Sequence, residues 1–71
     1  MKNEKLIKKL KKEQDKLNKK LWKLHFFITD QEDSQTISSY QLNLLKIQHD
    51  AMCEYSEVLG IRISDLEEHH E

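Results

Sequence analysis

The residues that could do chemistry in this chain are one His–Cys pair and two charged helix faces. His49 and Cys53 are four residues apart, which on a helix puts both side chains on one face. Two ligands are fewer than a structural zinc site uses, and no CxxC or zinc-finger spacing is present. There is also no nucleophile with a base and no glycine-rich phosphate loop. The sequence therefore predicts a non-enzymatic protein with no metal and no cofactor.

An acidic row lies on the narrow polar face of the second predicted helix. It consists of Asp50, Glu54, Glu57, Asp65 and Glu68. At a rise of 1.5 Å per residue the row is about 27 Å long, and its carboxylates are roughly one turn apart. Such a row can imitate a phosphate backbone and bind the basic groove of a nucleic-acid-binding protein. The five carboxylates are thus candidate partner-binding residues; the alternative is a solvated face that balances the lysines elsewhere.

A basic row lies on the first predicted helix. It consists of Lys5, Lys9, Lys12, Lys16, Lys19 and Lys23. The simplest interpretation is a solvated face, and the alternative is direct nucleic-acid binding through counterion release. The first helix contains no arginine and the pI is near 6.4. Because base-reading proteins favour bidentate arginine contacts, these two facts argue against the alternative.

Charge and hydrophobic spacing together predict the fold. Residues 1–29 carry ten lysines against three carboxylates, a net charge of +7, and residues 30–71 carry a net charge of −8. Both halves place apolar residues at helical spacing, and the chain has no proline and one glycine. We therefore expect an all-α fold, an antiparallel hairpin in which a basic helix folds back on an acidic one.

The first helix is predicted over residues 4–29 and the loop over 30–37. Steps of three and four residues give a coiled-coil seam with one polar position: Ile7, Leu10, Gln14, Leu17, Leu21, Leu24 and Ile28. Trp22, Phe26 and Phe27 lie off this seam. We expect them to pack against the hairpin end or a second interface, because aromatic residues at helical spacing usually do so.

The second helix is predicted over residues 38–63. Ser38 with Gln41 fits a capping box, and Ile37 with Leu42 fits the hydrophobic staple that flanks one. We expect a kink at Gly60 and a short extension over 64–71 that is recapped at Ser64. In the extension, His69 and His70 would moderate the charge of the last helical turn.

The apolar face of the second helix spans about 200° of the helical wheel, which is more than one partner helix covers. A chain of 71 residues also buries little surface, and its single cysteine, Cys53, cannot close an internal disulfide. We therefore expect a homodimer that forms a four-helix bundle. The predicted interface residues are Leu44, Ala51, Met52, Tyr55, Val58 and Leu59.

The stretch from Glu13 to Ile63 resembles a family of small phage and prophage helical-hairpin proteins. The matching positions lie in the second helix: Leu44, Leu45, Gln48, Ala51, Met52, Tyr55, Val58, Leu59 and Arg62. These are packing positions, and most proteins of that family have no assigned function. By analogy with other small phage proteins, the resemblance implies a possible anti-CRISPR or other anti-defence role.

The function expected from these observations is inhibition of a host protein, such as a defence nuclease, through the acidic helix face. One alternative is a nucleic-acid-binding accessory protein that uses the lysines of the first helix. Another is a structural or assembly component of a phage particle. With no apolar run long enough for a membrane span and no signal-peptide pattern, we expect a cytoplasmic protein in the bacterial host.

Overall fold

A computed structural model describes residues 2–68 as a hairpin of two long helices. Helix α1 is Lys2–Asp33 and helix α2 is Ser39–Glu68. The Cα atoms extend 51 × 15 × 13 Å, so the hairpin is a rod two helices wide. No helix among the described residues is long and apolar enough to cross a membrane. The all-α hairpin that charge and spacing predict is confirmed.

The predicted seam of α1 is the side that faces α2. Leu10, Leu17 and Ile28 are buried, and the other four seam residues are half-buried. The centre of the core joins Leu10 and Leu17 to Leu59 and Ile63 of α2, and Leu59 is only 1% exposed. The six lysines of the basic row are all exposed, as expected of a solvated face.

Helix α1 ends four residues later than the predicted Thr29. The seam continues one turn past Ile28 to Gln31, which is 6% exposed although it is polar. Its amide oxygen accepts the backbone N–H groups of Thr36 at 2.8 Å and Ile37 at 3.1 Å, and its amide nitrogen donates to the Thr36 hydroxyl at 2.9 Å. The extra turn persists because it brings Gln31 under the loop, where it satisfies backbone donors that the turn leaves unpaired.

Helix α2 begins where the capping signal places it. The Ser38 hydroxyl accepts the Gln41 N–H at 3.1 Å, and the first backbone bond of the helix runs from Leu42 N to Ser38 O at 3.0 Å. Such a cap stabilises a helix by about 1 kcal/mol. Leu42 is buried and Ile37 half-buried, as the predicted hydrophobic staple requires. The loop is thus residues 34–38.

The predicted end of α2 at residue 63 is wrong, and the helix has no interruption at Gly60. The helix continues through Gly60 to Glu68, so most of the predicted 64–71 extension is regular helix. A Cβ at Gly60 would lie 3.2 Å from the Gln14 amide nitrogen, which donates to Ser56 O at 3.0 Å. The glycine therefore gives a side chain of α1 room to approach the backbone of α2. His69 and His70 lie outside the described residues.

Candidate ligand cleft

Three aromatic side chains form an exposed cluster on one side of α1. The rings of Trp22 and Phe26 stack with centroids 5.9 Å apart, and His25 meets both edgewise at 6.1 and 5.8 Å. Trp22 is 62% exposed and Phe26 is 60% exposed. Neither ring is therefore covered by the hairpin itself, and packing against a second interface stays a prediction. Rings one helical turn apart instead support each other and leave flat faces open to solvent.

A cleft runs beside this cluster, between the two helices. It encloses about 330 Å³ and is lined by Asn18, Leu21, Trp22, His25, His49 and Cys53. A second hollow of about 270 Å³ shares His25 and His49 with it and continues past Ile28 to Lys46 and Asp50. The two hollows thus form one groove with both histidines near its middle.

The two histidines connect the helices across the groove. Their ring centroids are 6.0 Å apart. His49 Nδ1 lies 3.8 Å from the Cys53 sulfur and 4.0 Å from an Asp50 carboxylate oxygen. Near the loop, the Lys46 ammonium pairs with Glu32 at 2.9 Å. The groove therefore combines apolar and aromatic walls with the Lys46 ammonium, the Asp50 carboxylate and two imidazoles.

The predicted His49–Cys53 pair does come together, but as part of the cleft wall. Across residues 2–68, no group of three or more His, Cys, Asp or Glu side chains is placed to hold a metal ion.

A polar cluster next to the cleft fixes how the helices align. The Ser56 hydroxyl donates to the Asn18 side-chain oxygen at 2.8 Å, while the Gln14 amide donates to Ser56 O at 3.0 Å. These groups are partly buried, so sliding one helix along the other would leave them without their partners. The alignment they favour is the one that places His49 and Cys53 opposite Trp22 and His25.

The predicted acidic row lies on the outer side of α2, largely separate from the cleft. All five of its side chains are exposed, and Asp50 alone reaches the second hollow. The lysines occupy the opposite edge of the hairpin. Because the hairpin is about 15 Å across, even between Cα atoms, the two charged edges are farther apart than the roughly 8 Å Debye length at physiological salt.

The six predicted dimer-interface residues are divided between surface and core. Leu44, Ala51, Tyr55 and Val58 are exposed in the single chain, whereas Met52 is half-buried against the core cluster. Leu59 belongs to that core, so it is corrected from an interface residue to a core residue. Its position on the wheel faces α1, which covers it completely.

The cleft between the two helices was not predicted from the sequence. Trp22, His25 and Phe26 at i, i+3 and i+4 signal a shared surface, and His49 and Cys53 signal another. Whether these two surfaces meet depends on how α1 is aligned with α2. The residue spacing within either helix gives no information about that alignment.

Fold and surface define a class: a small antiparallel helical hairpin with an aromatic groove between its helices and an incompletely covered second helix. The family model described as Sequestin matches residues 4–65, nearly the whole hairpin. The chain belongs to the Sequestin family. No curated protein and no solved structure matches it significantly.

Proposed function

We propose that this chain is a non-enzymatic binding protein that sequesters a small, planar, negatively charged ligand in the aromatic groove. The observation that carries the proposal is the exposed ring of Trp22, which lines a cleft between the helices and is backed by the stacked ring of Phe26 outside the cleft. Large exposed rings are costly to leave in water unless a partner covers them. The family name is in keeping with a role in sequestration, and it names no ligand.

The chemistry of the groove suggests which ligand class it would take. A planar ring would stack on Trp22, and each aromatic pair of this kind contributes about 0.5–1.5 kcal/mol beyond the area it buries. A negatively charged substituent would extend along the groove towards Lys46 and the two histidines. Two carboxylates compete with such a substituent: Glu32 pairs with Lys46 at 2.9 Å, and Asp50 lies 4.0 Å from His49, so the ligand would have to displace Glu32.

Trp22 is the only tryptophan in the chain, so its fluorescence reports directly on the groove. Adenosine 5′-monophosphate is a suitable probe because it has both a planar ring and an anion. We expect saturable quenching by this probe, weaker quenching by adenosine, and none by ribose 5-phosphate. A linear, unsaturable response to all three at millimolar concentration would contradict the proposal.

Two alanine variants separate stacking from general effects on the helix. Phe26→Ala removes half of the stack, and we expect it to weaken probe binding roughly 2- to 10-fold, the equivalent of one aromatic pair. Phe27→Ala is the matched control, since Phe27 is also exposed but points about 100° away around α1. Equal loss in both variants would mean that the effect is not local to the groove.

The acidic row supports a second candidate function, inhibition of a nucleic-acid-binding host protein, with this chain acting as a phage anti-defence factor. Its specific support is that all five carboxylates are exposed on one side of α2. The triple variant Asp50→Lys, Glu54→Lys, Glu57→Lys should stay folded, because exposed charge pairs contribute little to stability.

The measurement is displacement of labelled DNA from host nucleases by the wild-type chain and by the triple variant. Under this second hypothesis the wild type displaces DNA, the triple variant does not, and Phe26→Ala behaves as wild type. Equal displacement by wild type and triple variant contradicts it. Binding of labelled DNA by the chain itself would instead favour the lysine-rich face.

A further inference from the structure

The side of α2 that faces away from the cleft carries a second apolar seam, which we call the outer seam. Its members are Tyr40, Leu44, Ile47, Ala51, Tyr55, Val58 and Arg62, and all of them are exposed. At about 100° per residue they fall within an arc of roughly 80°, and they span about 33 Å along the helix. Tyr40 is 71% exposed and Ile47 is 64% exposed. Apart from the small Ala51 at its centre and the charged Arg62 at its end, this is a strip of large apolar and aromatic side chains that the single hairpin leaves uncovered.

The spacing of the outer seam is symmetric about Ala51. The steps are four, three and four residues on each side of it, so the seam is two 11-residue units that meet at Ala51. An 11-residue repeat has about 3.67 residues per turn, close to the 3.6 of a straight helix, so the seam remains on one side for its whole length. A twofold interface requires a surface that is complementary to itself. This pattern meets that requirement when two copies of α2 run antiparallel.

We infer that the outer seam is where a second copy of this chain binds, with the two α2 helices antiparallel and crossing at Ala51. In this arrangement Leu44 faces Val58 of the second copy and Ile47 faces its Tyr55. The small Ala51 side chain lies on the twofold axis, where the helices come closest. The interaction goes beyond the proposed function and does not depend on it.

Charge decides between the two possible directions of pairing. Parallel helices would bring each Arg62 against its own copy, so two like charges would meet. Antiparallel helices bring Arg62 against the exposed ring of Tyr40, a cation–π pair worth about 0.5–1 kcal/mol at an exposed site. The antiparallel arrangement is therefore favoured.

The exposed area of the hairpin fits one such interface. The chain exposes 5773 Å². A compact monomer of 8.6 kDa exposes about 4,700 Å². The excess, about 1,100 Å², compares with the roughly 800 Å² that each partner loses in an interface of standard size. The cleft residues His49 and Cys53 are on the other side of α2, so both grooves of the dimer remain open.

Cysteine cross-linking tests both the surface and the direction. In a Cys53→Ser background, Ala51→Cys should form a disulfide-linked dimer under mild oxidation. Val58→Cys alone should not, because in antiparallel helices its two copies are about 21 Å apart, beyond the reach of a disulfide. A mixture of Leu44→Cys and Val58→Cys chains should give a mixed dimer that neither forms alone.

Sedimentation of the wild type at micromolar concentration provides the independent measurement. We expect a dimer, and we expect Ala51→Glu to be a folded monomer by circular dichroism, because it places two carboxylates together on the twofold axis. A wild-type chain that sediments as a folded monomer would overturn the inference. So would cross-linking of Val58→Cys alone as efficiently as Ala51→Cys, since that result means a parallel pair.

Discussion

The contact between Gln14 and Gly60 allows a quantitative prediction. Replacing glycine by alanine inside a helix stabilises it by about 0.8–1 kcal/mol. In this protein the new methyl group would lie 3.2 Å from the Gln14 amide nitrogen, so the amide must move by a few tenths of an ångström. That movement weakens its 3.0 Å hydrogen bond to Ser56 O, and such a bond contributes about 0.5–1.5 kcal/mol. The two effects oppose each other, so we expect Gly60→Ala to change the free energy of unfolding by close to zero.

The same substitution should behave differently once Gln14 is shortened. In a Gln14→Ala background no amide opposes the new methyl group, so Gly60→Ala should stabilise the hairpin by the full amount of about 1 kcal/mol. The difference between the two backgrounds, about 0.5–1.5 kcal/mol, is the coupling between Gln14 and Gly60.

Urea unfolding followed by circular dichroism at 222 nm measures all four chains of this cycle. Protein concentration must be the same throughout, because the proposed dimerisation would make apparent stability depend on it. Equal stabilisation of about 1 kcal/mol in both backgrounds would refute the reasoning, since Gln14 would then not approach Gly60 in solution.

Three further predictions concern the core, the loop and the helix cap. Leu59→Ala should destabilise the hairpin by about 2–5 kcal/mol in urea unfolding, whereas Ile61→Ala, at a position 67% exposed, should cost far less; equal losses would contradict the assigned core. Gln31→Ala removes the acceptor of two loop amides, so hydrogen exchange of the Thr36 amide should accelerate, and unchanged exchange would show that the bond is not formed. Ser38→Ala should lower stability by about 1 kcal/mol through loss of the cap, with no change in dimerisation.

The elements of this fold follow directly from spacing in the sequence. The α1 seam is regular from Ile7 to Ile28, and α2 begins at a cap with its own short-range signal. The end of α1 could not be placed in the same way. It depends on Gln31, a polar residue that is buried because it accepts hydrogen bonds from the loop. That loop forms only when the chain turns back.

The candidate site was harder to predict than the fold because it, too, depends on contacts between residues that are distant in the sequence. Its residues come from both helices, and their alignment is favoured by hydrogen bonds of Gln14 and Asn18 to Ser56, more than 35 positions away along the chain. Periodicity shows that Trp22 and His49 each lie beside a buried face. It does not show that they share a groove.

Gln31 also affects whether α1 packs against α2 of its own chain or against α2 of a second chain. Residues 34–38 contain neither glycine nor proline, so nothing in their backbone prevents them from continuing α1 straight into α2. A straightened chain would lose the hairpin core, and a second straightened chain would restore every one of those contacts by domain exchange. The bonds from Gln31 to the Thr36 and Ile37 amides exist only in the bent form. One buried amide thus satisfies, in the bent form, backbone donors that a continuous helix would satisfy by itself, and so removes one cost of folding back.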